Sequence, residues 1–405
     1  MLASCKSVPL RNPNVATVQF VITVPEDTPS TDTIYLSGNV ELLGNWNGRG
    51  LALSKRGARE HVGSISVARG TKLEYKVTRG SWDTVEKEAG GAELANRTLT
   101  VDHDVIERIT VAAWRDTSEA PAPRPSTITG DVRYHDAFAS RILGNSRRLI
   151  VWLPPGYDAN PSQRYPVLYM HDGQNVFDDA TSFAGEWRAD ETAARLIAEA
   201  KIEPIIIVGI ENAGDARVEE YTPTQDRDRR GPTTIGATTL GATTRMVGGH
   251  GERYAQFLIT EVKPFIDSTY RTLPDREHAA VCGSSLGGLI SLYLAWKHND
   301  VFGLCGAVSP SLWWSDRDML VKFEVDSKWM KRVRIWADMG TDEGVLDITR
   351  AVHLREAREF HAIMARAGLK KGRDFEYREF DGAEHNEQAW SARFDQVLMF
   401  LFGKQ

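Results

Sequence analysis

An α/β domain preceded by an all-β sandwich is what this 405-residue sequence predicts, and three observations carry the prediction. First, His278-Ala-Ala-Val-Cys-Gly-Ser-Ser-Leu-Gly-Gly288 is a short apolar strand that runs through Gly-x-Ser-x-Gly into the helix-like Leu289-Ile-Ser-Leu-Tyr-Leu-Ala-Trp. Second, residues 15–112 carry short strand-forming runs broken by glycine turns. Third, the Pro-rich Glu119-Ala-Pro-Ala-Pro-Arg-Pro-Ser-Thr separates the two patterns as a semi-stiff spacer. A strand, a tight glycine-flanked turn and a helix are the surroundings of a nucleophile elbow, so the second unit is assigned to the α/β-hydrolase fold. The expected boundaries are 1–115 for the sandwich, 116–130 for the linker and 131–405 for the hydrolase-type domain.

In chain order, the sandwich strands are read from Ala16-Thr-Val-Gln-Phe-Val-Ile-Thr-Val, Thr33-Ile-Tyr-Leu-Ser-Gly and Lys72-Leu-Glu-Tyr-Lys-Val-Thr-Arg, and they predict an antiparallel arrangement. Past the linker, Tyr165-Pro-Val-Leu-Tyr-Met-His-Asp-Gly-Gln174 is an apolar strand entering a polar loop. Such a loop supplies one N–H of an oxyanion hole, and the Gly173-Gln174 peptide is the expected donor; the second is the amide of Leu286, the residue after the nucleophile. His171 precedes the serine and is expected to be a structural hydrogen-bonding residue. Arg227-Asp-Arg-Asp-Arg-Arg-Gly and the Gly/Thr-rich run to Gly251 read as a long loop, either a lid over the acyl pocket or a disordered surface loop.

Ser285 sits at the elbow. A serine hydroxyl is a poor nucleophile at neutral pH and needs a histidine base, itself oriented by an acid, in the order Ser, Asp/Glu, His for this fold. His353 and His361 lie in a helix-period segment and read as its solvated face. His385 lies in a polar loop after the strand-like Phe375-Glu-Tyr-Arg-Glu-Phe, where an imidazole can stand over the sheet edge, and is the expected base. The acid belongs just past Val333-Arg-Ile-Trp-Ala-Asp-Met, in Gly340-Thr-Asp-Glu-Gly344. Spacing leaves Asp342 and Glu343 both open, with Asp338 a weaker candidate because it lies within the strand.

The pieces Val151-Trp-Leu-Pro-Pro-Gly-Tyr, Leu168-Tyr-Met-His-Asp-Gly-Gln, Glu220-Tyr-Thr-Pro, Gly283-Ser-Ser-Leu-Gly-Gly, Gly340-Thr-Asp-Glu and Gly382-Ala-Glu-His-Asn together resemble the esterase-D-like branch of α/β-hydrolases. That branch includes enterochelin, feruloyl and acetylxylan esterases and mycolyltransferases. The resemblance implies Glu343 as triad acid, with Asp342 as the alternative, and Gln174 and Leu286 at the oxyanion hole. It implies no metal or organic cofactor, and no zinc-ligand spacing is present. The sandwich resembles the starch-binding family-20 carbohydrate-binding modules through Ile34-Tyr-Leu-Ser-Gly-Asn-Val-Glu-Leu-Leu-Gly-Asn-Trp46, Leu73-Glu-Tyr-Lys-Val-Thr-Arg and Asn96-Arg-Thr-Leu-Thr-Val101. By that resemblance Trp46, Lys76 and Trp82 fall near sugar-contacting positions, although Gly80-Ser-Trp-Asp-Thr-Val-Glu-Lys-Glu departs from the usual run there.

The implied activity is a serine carboxylesterase acting on short-chain acyl or feruloyl esters, either small molecules or esters linked to polysaccharide. A siderophore trilactone is the second substrate class, and a non-catalytic glycan-binding protein the reading outside enzymes. Trp187, Trp313 and Trp314 are expected to line the pocket and stack on an aromatic acyl group. With 49 Lys+Arg against 55 Asp+Glu, a net charge of -6 and no long basic block, nucleic acid is not an expected partner. No apolar run reaches bilayer-crossing length. Three cysteines do not make a disulfide framework, and Cys282 and Cys305 are expected as buried thiols. Leu2-Ala-Ser-Cys5 has the form of a lipoprotein processing site, so export to the periplasm or cell surface is expected if a signal segment precedes it, and the cytoplasm otherwise.

Overall fold

The computed structural model describes residues 14–117, 124–182, 185–227, 246–344 and 349–404. The chain divides into two compact units, one holding the described residues 14–117 and the other those from Arg124 onward. Cys5, and 228–245 within the expected lid or surface loop, lie outside the described residues.

The first unit is built from two four-stranded sheets. One orders Ser54–Lys55, Glu60–Ala68, Val15–Thr23 and Val105–Thr110; the other orders Leu51–Ala52, Tyr35–Gly38, Thr71–Thr78 and Arg97–Val101. Side chains alternate along a strand, so Ala16, Val18, Phe20 and Ile22 all turn inward. They meet Leu36, Leu73, Tyr75, Val77, Val101 and Trp114 in one core. The expectation of a wholly antiparallel sandwich is corrected at one edge, where Val105–Thr110 runs parallel to Val15–Thr23 with Ile22 opposite Ile109.

The second unit carries an eight-stranded sheet ordered Asp131–Ala139, Ser146–Leu153, Ile206–Ile210, Val167–His171, Ala279–Ser284, Leu304–Val308, Arg334–Asp342, Phe375–Glu384. The first two pairings are antiparallel and the remaining five parallel. Its central strands are apolar throughout because both faces are covered. Val167 and Tyr169 enter one core with Val281 and Leu289, while Leu168 and Met170 enter the other with Cys282 and Leu398. Helices Leu286–Lys297 and Arg350–Arg366 cover the first face; Ala189–Ala198 and Phe394–Phe402 cover the second. Cys282 and Cys305 are buried free thiols.

Residues 124–130, read from sequence as linker, are tied to this unit by hydrogen bonds. The Thr127 N–H and Ser126 hydroxyl donate to Asp178 at 3.1 and 3.0 Å, and the Thr129 N–H donates to Asp190 at 2.6 Å. Gln225–Arg227 and Met246–Gly248, which flank the undescribed segment, pair as a small antiparallel sheet. Among the described residues, no helix is long and apolar enough to cross a membrane.

Candidate active site

Parallel strands end their carboxyl termini on one edge of the sheet, and that edge collects the chemistry-bearing loops. At the end of Ala279–Ser284 the backbone reverses through Ser285, which holds φ 58° and ψ -123°, a conformation outside the ordinary regions for a side chain with a Cβ. Gly283 is required beside it, because a Cβ there would stand 2.8 Å from the Gly287 carbonyl carbon. The turn opens the helix Leu286–Lys297, whose first N–H groups have no intrahelical acceptor and whose positive end lies against Ser285. Ser285 Oγ lies 3.3 Å from Ser311 Oγ.

His385 is fixed by Glu343. Its Nδ1 stands 3.1 Å from Glu343 Oε2, with the imidazole 11% exposed and the carboxylate fully buried. The other oxygen, Oε1, accepts from the Ser309 hydroxyl at 2.5 Å, the Gly340 N–H at 2.7 Å and Arg393 at 3.2 Å. Burial pushes the Glu343 carboxyl up, but the bonds from His385 and Ser309 and the charge of Arg393 outweigh it and hold the group below its usual range. Arg393 is itself 2% exposed and also bonds Asp338 at 2.9 Å. Asp342 points elsewhere, pairing with Arg350 at 2.8 Å. Asp338 is a structural carboxylate that accepts from Trp336 and Arg393.

Ser285 and His385 line one cavity of about 890 Å³ together with Gln174, Asp172, Arg217 and Trp390. Among the described residues no direct Ser285–His385 hydrogen bond is formed; such bonds commonly tighten only with substrate in place. Gln174 lies in the turn Gly173–Asn175, closed by the Asn175 N–H donating to the Asp172 carbonyl at 2.9 Å. The turn is held by Asp172, whose N–H donates to Tyr221 Oη at 3.1 Å and whose carboxylate takes Arg217 at 2.6 and 2.7 Å. Burial opposes that carboxylate's charge, and the guanidinium more than compensates, keeping it below its ordinary value. His171 donates or accepts at Nδ1 to Tyr254 Oη at 2.9 Å, the structural part expected of it.

The three tryptophans expected in the pocket are core residues. Trp187 packs on Trp390 and Phe394 with ring centroids 5.9 and 5.2 Å apart, and Trp313 and Trp314 pack on each other at 5.8 Å. Among the described residues none of the three lines the cavity; Trp390 does, and its indole N–H also donates to Ser309 at 3.1 Å. Their large apolar area favours full burial, and all three are under a tenth exposed. His353, read as solvent-facing, is 1% exposed with its ring 5.8 Å from that of His385, and neither of its nitrogens has a partner among the described residues. Sequence reasoning also missed Ser309, Ser311, Arg217 and Arg393, which carry no local motif and reach the site only through tertiary folding.

In the first unit Trp46 and Trp82 form a pair, ring centroids 6.1 Å apart and planes tilted by 34°. The Trp82 indole N–H donates to the Trp46 carbonyl at 3.1 Å, and both rings are half-buried. Lys76 stands 3.9 Å from Glu93 with its side chain 12% exposed.

Residues 15–108 match the family model "Starch binding domain", and residues 140–401 match the model "Putative esterase". Ferri-bacillibactin esterase of Bacillus subtilis is 27% identical over 231 residues, covering 56% of this chain and 75% of that protein. An endo-1,4-beta-xylanase/feruloyl esterase of Xylanibacter ruminicola is 27% identical over 268 residues, covering 65% of this chain and 30% of that protein. The enterobactin esterase of Shigella flexneri, solved in the presence of enterobactin, shares the fold at a TM-score of 0.52 and 15% identity, covering 97% of this chain and 94% of that one. The esterase model spans well over half of the sequence, so this chain belongs to that esterase family and is a carboxylic-ester hydrolase.

Proposed function

We propose that Ser285, His385 and Glu343 form the catalytic triad of a serine carboxylesterase that cleaves acyl or feruloyl esters carried on neutral polysaccharide. The observation that carries this reading is the Glu343–His385 bond at 3.1 Å, with His385 and Ser285 facing one cavity. His385 takes the Ser285 proton as the hydroxyl attacks the ester carbonyl, and the Gln174 and Leu286 amides receive the oxyanion. The ionised Glu343 fixes the imidazole tautomer and offsets its charge. His385 then protonates the leaving alcohol, and a water activated by the same imidazole releases the acid from the acyl-enzyme. No step in this sequence calls on a metal or organic cofactor.

Substrate charge separates the two substrate classes. Among the described residues that line the cavity, Arg217 and Asp172 are paired with each other, and Glu211 and Glu387 are the remaining acidic groups. A ferric tris-catecholate is multiply anionic and would face those carboxylates, whereas a neutral sugar ester would not. The starch-binding match of residues 15–108 supports glycan binding through Trp46 and Trp82, with Lys76 at the margin, and so favours the polysaccharide substrate over the trilactone.

Ser285→Ala is the direct test. Its kcat on p-nitrophenyl acetate is expected to fall by about 10³-fold or more with the melting temperature unchanged, and labelling by a fluorophosphonate probe is expected to disappear. Wild-type turnover in that variant would remove the assignment. Loss of activity with labelling retained would move the nucleophile to another serine.

A further inference from the structure

We propose that the Ser311 hydroxyl is a further catalytic group of this site, donating a hydrogen bond to Ser285 Oγ as that oxygen is expelled from the acyl-enzyme. The inference rests on the serine-esterase reading above. Among the described residues the Ser285 hydroxyl has one hydrogen-bond partner, the Ser311 hydroxyl at 3.3 Å. Ser311 is 1% exposed and, among the described residues, does not line the cavity that Ser285 faces. It therefore meets the nucleophile's oxygen from the protein side and not through substrate.

The contact is anchored by backbone. The Ser285 N–H donates to the Val308 carbonyl at 3.1 Å, and the Ser285 carbonyl accepts from the Ser311 N–H at 3.0 Å, so the strained turn is clamped to the segment 308–311. Two positions before Ser311, the Ser309 oxygen accepts from Trp390 at 3.1 Å and Arg393 at 2.6 Å, which commits its own proton to Glu343 at 2.5 Å. The run Ser309-Pro310-Ser311 thus touches both ends of the proposed triad.

Proton inventory sets the direction of the Ser285–Ser311 bond. The Ser285 proton goes to His385, so the proton between the two hydroxyls is that of Ser311. At 3.3 Å the contact is longer than the roughly 2.7–2.8 Å of a well-formed O–H···O bond, and it adds little to the resting enzyme. In deacylation, water attacks the acyl carbon while giving a proton to His385. The C–Oγ bond then breaks, its electron pair stays on Oγ, and His385 returns the proton to Oγ; the Ser311 proton is not transferred. An ester oxygen is a poor acceptor before this step and a strong one as charge collects on it, so a donor fixed behind it favours the transition state over the acyl-enzyme. The gain in acylation is smaller, because Oγ begins there as a hydroxyl that already accepts the bond.

The test is pre-steady-state hydrolysis of p-nitrophenyl acetate by the full chain, in which the burst of p-nitrophenol reports acylation and the steady phase that follows reports deacylation. Ser311→Ala removes a single atom and keeps both backbone bonds. It is expected to lower the steady rate about tenfold while the burst rate constant and the rate of fluorophosphonate labelling stay within about threefold of wild type. On this ester kcat and KM then fall together and kcat/KM holds, a split that misalignment of Ser285 would not produce. A fall in burst and labelling rates matching the fall in kcat would make Ser311 a residue that only aligns the nucleophile, and an unchanged kcat would leave its hydroxyl without a part. Either result overturns the proposal and leaves the esterase reading standing. Wild-type protein inert to the ester and to the fluorophosphonate overturns that reading itself.

Discussion

At the scale of single residues, the two adjacent carboxylates 342 and 343 separate by surroundings rather than by chemistry. Glu343 is fully buried with both oxygens committed, one to His385 and one shared by Ser309, Gly340 and Arg393; Asp342 is 44% exposed and pairs with Arg350. An acid that orients a histidine must be ionised, fixed and shielded from water, and only Glu343 meets all three conditions. Glu343→Gln is therefore expected to lower kcat by about 10³–10⁴-fold, because the amide can stabilise the wrong imidazole tautomer and cannot offset its charge. Asp342→Asn should stay within about twofold, an exposed ion pair contributing little. Steady-state kinetics of the two variants on one p-nitrophenyl ester decides, and equal losses would contradict the geometry. Ser285 and His385 were legible because a motif and a chain order announce them. The choice between 342 and 343 was not legible from spacing, because it is made by Ser309 and Arg393, which lie 34 and 50 positions from Glu343.

At the scale of elements, the helix Arg350–Arg366 shows why a histidine can be misread. Its buried positions are His353, Glu356, Ala357, Phe360, Ile363 and Met364, a stripe at helical spacing. Polar residue types at 353 and 356 disguise the first turn of that stripe, so the sequence places the solvated face one step off. His361, on the flank, is half-buried and stacks on Tyr377 at 4.7 Å. The strands were easier to read, since a continuous apolar run such as Val167–His171 suits a sheet covered on both faces. The misplaced histidine has a measurable consequence. Burial, with a smaller contribution from His385, drives the His353 imidazole down to about 4. The unfolded chain takes up that proton near the ordinary 6.5, so between these values it binds more protons than the folded chain and stability falls as pH drops from about 6.5 to 4. Asp190 works in the opposite sense, its carboxyl raised to about 7 by burial and by Glu191, so total stability mixes both trends. The difference between wild type and His353→Leu isolates the imidazole. The variant's melting temperature is expected to rise relative to wild type as pH is lowered from 7 to 4.5, and a pH-independent difference would show that His353 titrates normally in the folded chain.

At the scale of the whole molecule, the described residues form three cores that share no buried residue, one closed by Phe20, Tyr75 and Trp114 and two on the faces of the eight-stranded sheet. Separate cores imply separate stability, and the proposed triad, the proposed oxyanion amides and the Arg393 network all belong to the second unit. Residues 124–405 are accordingly expected to fold alone and to hydrolyse p-nitrophenyl acetate within about twofold of the full chain. The strap at 126–129 sets the cut: beginning after Thr129 instead would release Asp178 and Asp190 from their partners and lower stability. What the truncated protein should lose is its hold on an insoluble polymer. Tethering a catalytic unit to a glycan-binding one raises the effective concentration of esters near the active site without any new contact in that site. The full chain should therefore be retained on granular starch, the 124–405 fragment should not, and Trp46→Ala in the full chain should behave like the fragment on starch and like wild type on p-nitrophenyl acetate. Removing Trp46 takes away one of two rings held 6.1 Å apart, so the proposed sugar-contacting pair is halved while the core residues Phe20, Tyr75 and Trp114 are untouched. Equal retention of all three proteins would assign the first unit a structural part and leave the polysaccharide reading to rest on the charge of the Ser285 cavity.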